Sequence, residues 1–474
     1  MEISRKSDEN LERLNEIFSG CFDIVRRELT DINGKKVIVV FSDGLVNKEQ
    51  IQQFVLSPLL GFALREKNGA IENLEDIQKK LLSAADVKPE RDMDEAVKKC
   101  LSGDTALFVE GATECLIVQT RGWQSRGIAE PSTQKSIRGP KEGFTETLLF
   151  NVAMIRRKIR TPDLKMEIMQ IGDETRTDVC IAYIKGVAED KVVAEVRGRL
   201  QSIDARYILE SGHIEQLVED NKRTIFSTVA NNEKPDAVAG KLLKGRVAII
   251  VDGTPFVLTV PMVFAENFQA VEDYYTKPYY ANFIRILRYV AYVVTIVLPA
   301  AYVALVTYHQ EMIPDQLLTV LIEAIESVPM PPVLEMFIML IFYELLKEAL
   351  LRLPSQIASA VGIAGVFIIG DAAVNAHLIG APTVVIAAMT FITSAVVNAA
   401  MDSSAVIRII LLVLGAAFGV FGVFIGIFLV LTHLCTLRSF GHPFMAPFSP
   451  FRVRGFQNIV LRQSTKEMLK RDGS

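Results

Sequence analysis

Residues Ile409–Leu437, IILLVLGAAFGVFGVFIGIFLVLTHLCTL, contain no aspartate, glutamate, lysine or arginine. A helix needs about 20 apolar residues to cross the hydrocarbon core of a bilayer, and this run is long enough to do so. Two more long apolar stretches precede it, Ile286–Val306 and Ala372–Met401. The C-terminal two-fifths of the chain is therefore predicted to be a polytopic, all-α membrane domain.

The region before these stretches is rich in charge. Charged residues make up 22% of the 474 residues although the mean hydropathy is +0.29, because two unlike halves are averaged. The opening sequence MEISRKSDENLERLNE has no apolar core of the secretory kind, so the soluble half is expected to remain in the cytosol. A net charge of −4 gives no reason to expect nucleic-acid binding. This organisation favours transport, conduction, sensing or anchoring as the function.

Composition divides the chain into four regions. We predict an N-terminal cytosolic α/β subdomain (1–121), a second one with a long polar loop and a hairpin (122–280), a transmembrane helical domain (281–437) and a basic cytosolic tail (438–474). The soluble part is therefore expected to belong to the α+β class, as two small α/β subdomains.

Strand patterns support this division of the soluble half. Lys36–Ser42 is a β-branched run that ends at an Asp-Gly turn. The clearest hairpin joins Arg246–Val251 to Pro255–Val260. From Lys165 onward, strands and helices alternate as in βαβ units, which favours a compact α/β subdomain.

The membrane domain is predicted to hold four or five spans plus a re-entrant or amphipathic segment, for which Leu317–Ile325 is a candidate. Ala372–Met401 is expected to make one crossing around Pro382, since membrane helices tolerate proline. Basic residues flank the first span and fill the tail, so both are expected on the cytosolic side. Two cytosolic ends require an even number of crossings, and the count of candidates leaves that number open.

Two acidic residues of the charged helix Val333–Leu353 are candidates for attracting ions. Glu344 and Glu348 are four residues apart and face the same side, and Lys347 is placed to pair with Glu344. This pattern indicates either a solvated helix end or, in a symmetric oligomer, an acidic ring at the mouth of a cation channel.

The next segment is the candidate pore wall. Ser355–Gly370 places Ala358, Gly362 and Gly365 on one helical face and is followed by Asp371, a second candidate for an acidic ring. A bulky residue at position 362 is expected to change ion passage without abolishing assembly.

A second stripe of small residues lies in the last span. Four glycines are spaced by four, three and four residues, which indicates close helix packing or, alternatively, the wall of a narrow pore. They are Gly415, Gly419, Gly422 and Gly426.

The sequence has no arrangement typical of an enzyme or a metal site. Its five cysteines lack CxxC spacing and are expected to be reduced, structural thiols. The five histidines are equally dispersed, and no nucleophile has a matching base. Arg138–Phe144 lacks the GxxxxGK[ST] spacing of a phosphate-binding loop. We therefore expect no catalytic residues, no metal and no cofactor.

An ordered series of segments resembles the GerA family of spore germination proteins. The most distinctive is IRGPKEGFTETLLFNVAMIRRKIRTPDLK, Ile137–Lys165. The others follow in order: TDVCIAYIKG (Thr177–Gly186), ARYILESGHIEQLVED (Ala205–Asp220), RVAIIVDGTPFVLTVP (Arg246–Pro261), EDYY (Glu272–Tyr275), YVALVTYHQEMIP (Tyr302–Pro314), LRLPSQI (Leu351–Ile357) and LRSFGHPFMAPFSP (Leu437–Pro450).

This resemblance implies the A-type subunit of a nutrient germinant receptor, or a close sporulation-stage paralogue, in the inner membrane of an endospore-forming bacterium. Such subunits act beside a transporter-like B subunit, which senses the nutrient, and a lipoprotein C subunit. They are thought to assemble as a homo-oligomeric ring and to pass cations when germinant binds. The implied partners are thus these subunits, membrane lipid and monovalent cations, and no nucleic acid.

From residues and resemblance together, we hypothesise a germinant-gated cation channel subunit with Glu344 and Glu348 at its cytosolic mouth. A further group of residues is expected to carry subunit contact or gating, although its basic part is alternatively a solvated or headgroup-facing surface. The group consists of Arg138, Gly139, Pro140, Glu142, Gly143, Arg156 and Arg157. The alternative function is a non-conducting scaffold or signal relay. A secondary transporter is disfavoured because no inverted repeat is found.

Overall fold

The computed structural model describes the chain except for residues 31–34, 61–73, 79–81, 83–85, 124–130, 132–137, 355–364, 366–369, 398–399, 452–455, 457–459 and 464–474. The chain divides into two compact units. Unit 1 contains Met1–Lys222, Val229–Met262 and Ser439–Gly441. Unit 2 contains Arg223–Thr228, Val263–Arg438 and His442–Ser474.

Unit 1 contains a first antiparallel sheet with the strand order β1-β2-β4-β5-β3. The strands are β1 (Ile24–Thr30), β2 (Lys36–Ser42), β3 (Val87–Glu90), β4 (Thr105–Val109) and β5 (Cys115–Val118), and the helices are α1 (Ser7–Ile17), α2 (Lys48–Ile51), α3 (Leu74–Asp76) and α4 (Met93–Cys100). Both faces of β2 are covered, since Ile38 and Val40 enter one core cluster and Val37 and Val39 enter another. The predicted strand Lys36–Ser42 is confirmed, and its double burial explains why it is apolar at almost every position.

A second antiparallel sheet in unit 1 has the strand order β6-β7-β9-β10-β8. Its strands are β6 (Leu164–Ile171), β7 (Thr177–Ile184), β8 (Ala230–Asn232), β9 (Val247–Val251) and β10 (Val257–Val260). The helices are α5 (Leu148–Lys158), α6 (Asp190–Gln201), α7 (Ser211–Val218) and α8 (Pro235–Leu242). Val152 of α5 packs on one face of the sheet and Val196 of α6 on the other. The predicted hairpin is confirmed as β9 and β10.

The strand directions differ from those that the alternation predicted. βαβ units join parallel neighbours, whereas every described pairing in the second sheet is antiparallel. The chain leaves β7, forms helices and the edge strand β8, and returns through α8 to place β9 antiparallel beside β7. The βαβ interpretation is therefore wrong, while helices packed on antiparallel sheets agree with the α+β class.

Unit 2 is mostly helical. Its helices are α9 (Pro278–Tyr308), α10 (Asp315–Glu326), α11 (Pro332–Arg352), α12 (Ala381–Val396) and α13 (Met401–Thr436). A two-residue pairing of β11 (Arg438–Ser439) with β12 (His442–Pro443) follows them. Among the described residues, α9 and α13 are long and apolar enough to cross a membrane, and α12 is apolar but shorter.

The apolar stretch Ala372–Met401 is not one continuous helix, and its predicted crossing around Pro382 stays a prediction. A helical segment ends at residue 375, a turn occupies 376–380, and α12 runs from Ala381 to Val396. Its 16 residues extend about 24 Å at 1.5 Å per residue. Pro382 lies in the first turn of α12, where backbone N–H groups have no partner within the helix, so the missing N–H of proline costs no helical hydrogen bond. This proline therefore begins a helix instead of bending one.

Helix α13 reverses direction at Gly419, whose φ of 61° and ψ of −147° interrupt the helix. A Cβ on Gly415 would lie 3.1 Å from Cγ2 of Val423, whereas in a straight helix these residues are about 12 Å apart along the axis. Gly422 and Gly426 likewise lie against Leu414 and Leu411. Residues 401–418 and 420–436 are thus two arms of a helical hairpin, and the glycine stripe allows their close packing.

Contacts of α9 give the directions of its neighbours. Ideal Cβ atoms on Gly415 and Gly419 would lie 3.0 Å from Ala300 O and 3.1 Å from Tyr308 Cβ, so the first arm runs in the direction of α9 and the second arm returns. Helix α12 runs opposite to α9, because Tyr302 bonds Thr383 and Thr295 bonds Thr393. Unit 2 is therefore built from helices that run in both directions along α9.

Candidate functional site in the helical unit

The acidic residue Glu344 of α11 is paired twice within unit 2. One carboxylate oxygen lies 2.6 Å from Nζ of Lys347, which confirms the predicted pair. The other lies 2.5 Å from the guanidinium of Arg408 on the first arm of α13. The Arg408 side chain is only 4% exposed, and a buried charge of this kind is costly unless it is paired. Glu344 therefore neutralises a buried arginine between α11 and α13, a role that sequence reasoning missed because the partners are 64 residues apart.

Glu348 is more accessible than Glu344. It pairs with Arg352 one turn later at 2.5 Å, and its side chain is 56% exposed. Exposed ion pairs contribute about 0–1 kcal/mol, so this pair leaves the Glu348 carboxylate open to solvent ions. The assignment of both glutamates to a cation-attracting mouth stays a prediction.

The predicted pore wall is only partly described. Ala358 and Gly362 lie outside the described residues. A Cβ on Gly365 would lie 3.5 Å from Cδ1 of Leu346 on α11. Asp371 is exposed, within a helical segment at 370–375. The pore-lining role of these four residues stays a prediction.

A third glutamate, Glu335, was not among the candidate site residues. It lies in the first turn of α11 and is 1% exposed. Oε2 accepts hydrogen bonds from Gly380 N–H at 2.8 Å and from the Thr383 hydroxyl at 3.0 Å. In the described part of the chain Oε1 is buried without a hydrogen-bond partner. From the sequence, a glutamate three residues after a pair of prolines is typical of any helix start, so the pattern does not reveal its burial.

In unit 1, Arg156 is wholly buried, contrary to a role in surface contact between subunits. Its guanidinium makes two hydrogen bonds to the Asp23 carboxylate, at 2.8 and 2.9 Å, and both side chains are 0% exposed. It also donates to the carbonyls of Thr161 and Leu164. Asp23 directly precedes the first sheet, and Arg156 lies on α5, which packs on the second sheet. This pair therefore joins the two sheet regions of unit 1.

The other predicted contact residues, apart from the buried Gly143, lie nearer the surface. Arg157 lies over the Trp123 ring at 5.0 Å and bonds Glu142 at 3.2 Å. Arg138 and Gly139 are exposed, Pro140 is half-buried and Gly143 is buried. Their role in subunit contact or gating stays a prediction.

A polar cluster on the second sheet holds a carboxylate in its ionised form. Burial alone would raise the pKa of Glu167, but hydrogen bonds from Arg197 at 2.8 and 2.9 Å and from Tyr183 at 2.7 Å outweigh it and lower that pKa. Burial, followed by the bond to Glu167, raises the pKa of Tyr183 to about 12. The cluster therefore joins β6 to β7 through the hydrogen bond from Tyr183 and β6 to α6 through the ion pair with Arg197.

The thiols of unit 1 are buried and unbridged. Cys21, Cys100, Cys115 and Cys180 are buried, and Cys435 of unit 2 is exposed. Burial raises the pKa of the Cys100 thiol to about 12, which keeps it protonated and unreactive at neutral pH. Within the described ranges no three His, Cys, Asp or Glu residues come together as a metal site.

The two units together define a class of protein. A helical unit with two membrane-capable helices and a buried Arg-Glu pair, joined to an α+β unit, is typical of a membrane-associated protein with a soluble domain. The family profile described as "Bacillus/Clostridium GerA spore germination protein" matches residues 12–474. The chain belongs to this family.

Individual relatives match over almost the whole chain. "Spore germination protein KA" of Bacillus subtilis (strain 168) is 42% identical over 97% of this chain and 85% of its own length. "Uncharacterized membrane protein YfkQ" of the same strain is 40% identical over 100% of this chain and 92% of its own length. The crystal structure of the N-terminal domain of the A subunit of the Bacillus megaterium spore germinant receptor GerK3 is 37% identical and covers 56% of this chain and 98% of that chain, with a TM-score of 0.44.

Proposed function

We propose that this chain is a membrane subunit of a nutrient germinant receptor and helps to trigger bacterial spore germination. The observation that carries the proposal is the match of the family over residues 12–474, together with a relative named as a spore germination protein that is 42% identical over 467 aligned residues. The membrane-capable helices α9 and α13 support a location in the spore inner membrane. In this proposal the chain acts beside a transporter-like B subunit and a lipoprotein C subunit.

In this proposal the chain forms a homo-oligomeric ring and passes monovalent cations when the partner subunit senses germinant. Glu348, which is mostly exposed, attracts cations at the cytosolic mouth. Glu344 contributes less to that attraction, because Arg408 and Lys347 already balance its charge. The segment Ser355–Gly370, with Asp371 after it, lines the path. Arg138–Gly143 and Arg157 contact neighbouring subunits, and Arg156 instead holds unit 1 together.

A second candidate function is a non-conducting scaffold or signal relay that docks the sensor subunit. The observation in its favour is that the carboxylates of Glu344 and Glu348 are both paired within the chain. Paired acids attract cations less strongly than unpaired ones, since the nearby positive charge cancels much of their field.

Reconstitution separates the two functions. Purified chain and its partner subunits are placed in potassium-loaded liposomes, and potassium release is recorded after nutrient is added. Release from these vesicles, and none from vesicles that contain the partner subunits alone, supports conduction. Nutrient binding without release under the same conditions contradicts conduction and supports the scaffold.

A further inference from the structure

The Glu335 carboxylate has one oxygen for which the described chain supplies no partner. Its side chain is 1% exposed, and Oε1 is buried without a hydrogen bond. The surrounding cluster is apolar and includes Met336, Met339 and Ile379. An ionisable side chain inside a membrane domain is costly unless another group compensates its charge. A cation at Oε1 would compensate this charge.

The other oxygen of Glu335, Oε2, lies at one end of a chain of two hydroxyl groups. A hydroxyl carries one proton, and Thr383 donates its proton to Oε2 of Glu335. The contact of 3.2 Å between Tyr302 and Thr383 is then a bond donated by Tyr302. The hydroxyl oxygens of Thr383 and Tyr302 therefore lie on the Oε2 side of the carboxylate.

The N-termini of two helices lie at the carboxylate of Glu335. Glu335 lies in the first turn of α11, and its Oε2 accepts the N–H of Gly380, the residue that caps α12. The N-terminus of a helix carries about half a positive charge. The donors at these two helix ends do not reach Oε1.

A carbonyl group from a third helix lies beside Gly380, the residue whose N–H donates to the carboxylate. A Cβ on residue 380 would lie 3.3 Å from Glu335 Oε2 and 3.6 Å from the Ala324 carbonyl oxygen, so glycine leaves room for both oxygens. Ala324 lies in the last turn of α10, where helix carbonyls carry partial negative charge. A carboxylate, a helix-terminal carbonyl and two hydroxyl groups are oxygen ligands of the kind that hard cations prefer.

We propose that Glu335 is the anionic ligand of a monovalent cation, sodium or potassium, with Thr383, Tyr302 and the carbonyl of Ala324 as the neutral oxygens around it. A divalent ion is disfavoured because sites for calcium gather several carboxylates, and the described residues hold no cluster of three acids. The choice of a monovalent ion rests on the proposed function, whereas the structure shows the unpartnered Oε1, the hydroxyl groups on the side of Oε2 and the carbonyl beside Gly380.

The test compares ions on the full-length protein in lipid nanodiscs. Thermal unfolding is measured in sodium or potassium chloride and in N-methyl-D-glucamine chloride at equal ionic strength and pH. We expect a saturable rise of the Tm of about 2–4 °C with the bound ion. The variant Glu335→Gln, which keeps an acceptor for Gly380, loses this rise. The control Glu311→Gln removes an exposed carboxylate and keeps it.

A second measurement covers the case in which the Gln variant folds poorly. Equilibrium binding of radioactive sodium or rubidium is recorded for Thr383→Val, which removes a neutral ligand and leaves the charge. We expect at least a tenfold weaker affinity. Wild-type protein with no ion-specific rise of the Tm, or a rise that Glu335→Gln retains, overturns the proposal. A rise that follows pH instead of the cation does so as well.

These outcomes are separable from those of the proposed function. Vesicles that fail to release potassium, although the protein shows the ion-specific rise of the Tm, contradict conduction and leave the cation site standing. Vesicles that release potassium, with a rise of the Tm that Glu335→Gln retains, contradict the site and leave conduction standing.

Discussion

At the level of single residues, Arg156 shows that a local sequence pattern does not predict contacts between residues distant in the chain. Its position in a basic cluster predicted a surface role, but its partner Asp23 lies 133 residues earlier in the chain. No local spacing reveals such a pair. The same holds for Arg408 and Glu344, whereas the pair of Lys347 and Glu344 was predictable because both residues lie on one helix face.

The buried pair of unit 1 gives the first prediction. Asp23→Asn leaves the Arg156 charge buried without a carboxylate, which lowers the free energy of unfolding by about 3–5 kcal/mol. Trp123 is the single tryptophan of the chain and lies in unit 1, so its fluorescence during urea unfolding reports on this unit.

A control substitution breaks an exposed pair. Glu114→Gln removes the partner of Arg91, whose side chain is 84% exposed, and should cost less than about 1 kcal/mol. Equal losses for Asp23→Asn and Glu114→Gln would contradict the stabilising role assigned to the buried pair.

The Glu167 cluster predicts a dependence on pH. Because the pKa of Glu167 is lower in the folded chain than in the unfolded one, its contribution to stability is present above the unfolded pKa. That contribution is lost as the pH falls through the folded pKa. The urea midpoint of Glu167→Gln should therefore fall less than that of the wild type between neutral pH and the acid range. Parallel midpoints over this range would show that the cluster carries no such charge.

At the scale of helices and strands, local patterns predicted existence better than arrangement. The strand Lys36–Ser42 and the hairpin of β9 and β10 were predictable because periodicity and turn residues are local signals. The antiparallel neighbours of the second sheet and the break at 376–380 depend on tertiary packing. The reversal at Gly419 was hidden for the same reason, since the run Ile409–Leu437 is apolar on both sides of it.

The hairpin of α13 predicts a specific cross-link. In a chain with Cys435→Ser, the pair Gly415→Cys and Val423→Cys should form a disulfide on mild oxidation, because the hairpin brings these positions together. A straight helix separates them by about 12 Å, too far for a bond. The control pair Leu411→Cys and Phe421→Cys is out of register in the hairpin and should stay reduced. Equal yields from both pairs, or none from the first, would contradict the reversal.

At the scale of the whole molecule, the sequence predicted two unlike parts, and the structure divides the chain into an α+β unit and a helical unit. The family match was foreseen from ordered segments between residues 137 and 450 and extends over 12–474. The number of crossings stays a prediction. The direction of α9 and the return of the second arm of α13 are consistent with an even number, as two cytosolic ends require.

The topology predicts where the two chain ends lie. Epitope tags placed before Met1 and after Ser474 should both be digested by protease in inside-out membrane vesicles, and both protected in right-side-out vesicles. An even number of crossings places both tags on the same side, and the basic residues beside the first span and in the tail make that side cytosolic. Protection of one tag and digestion of the other in the same vesicles would require an odd number.

We propose that cations pass along the segment Ser355–Gly370 when germinant is sensed, and potassium release from spores measures this passage. Spores whose only copy carries Gly362→Leu should release potassium at an altered rate after nutrient is added, with the protein present in normal amount. Gly240→Leu serves as the control, because a Cβ on Gly240 in α8 meets nothing within 4 Å. Release at the wild-type rate from Gly362→Leu spores would contradict the claim that this segment lines the path.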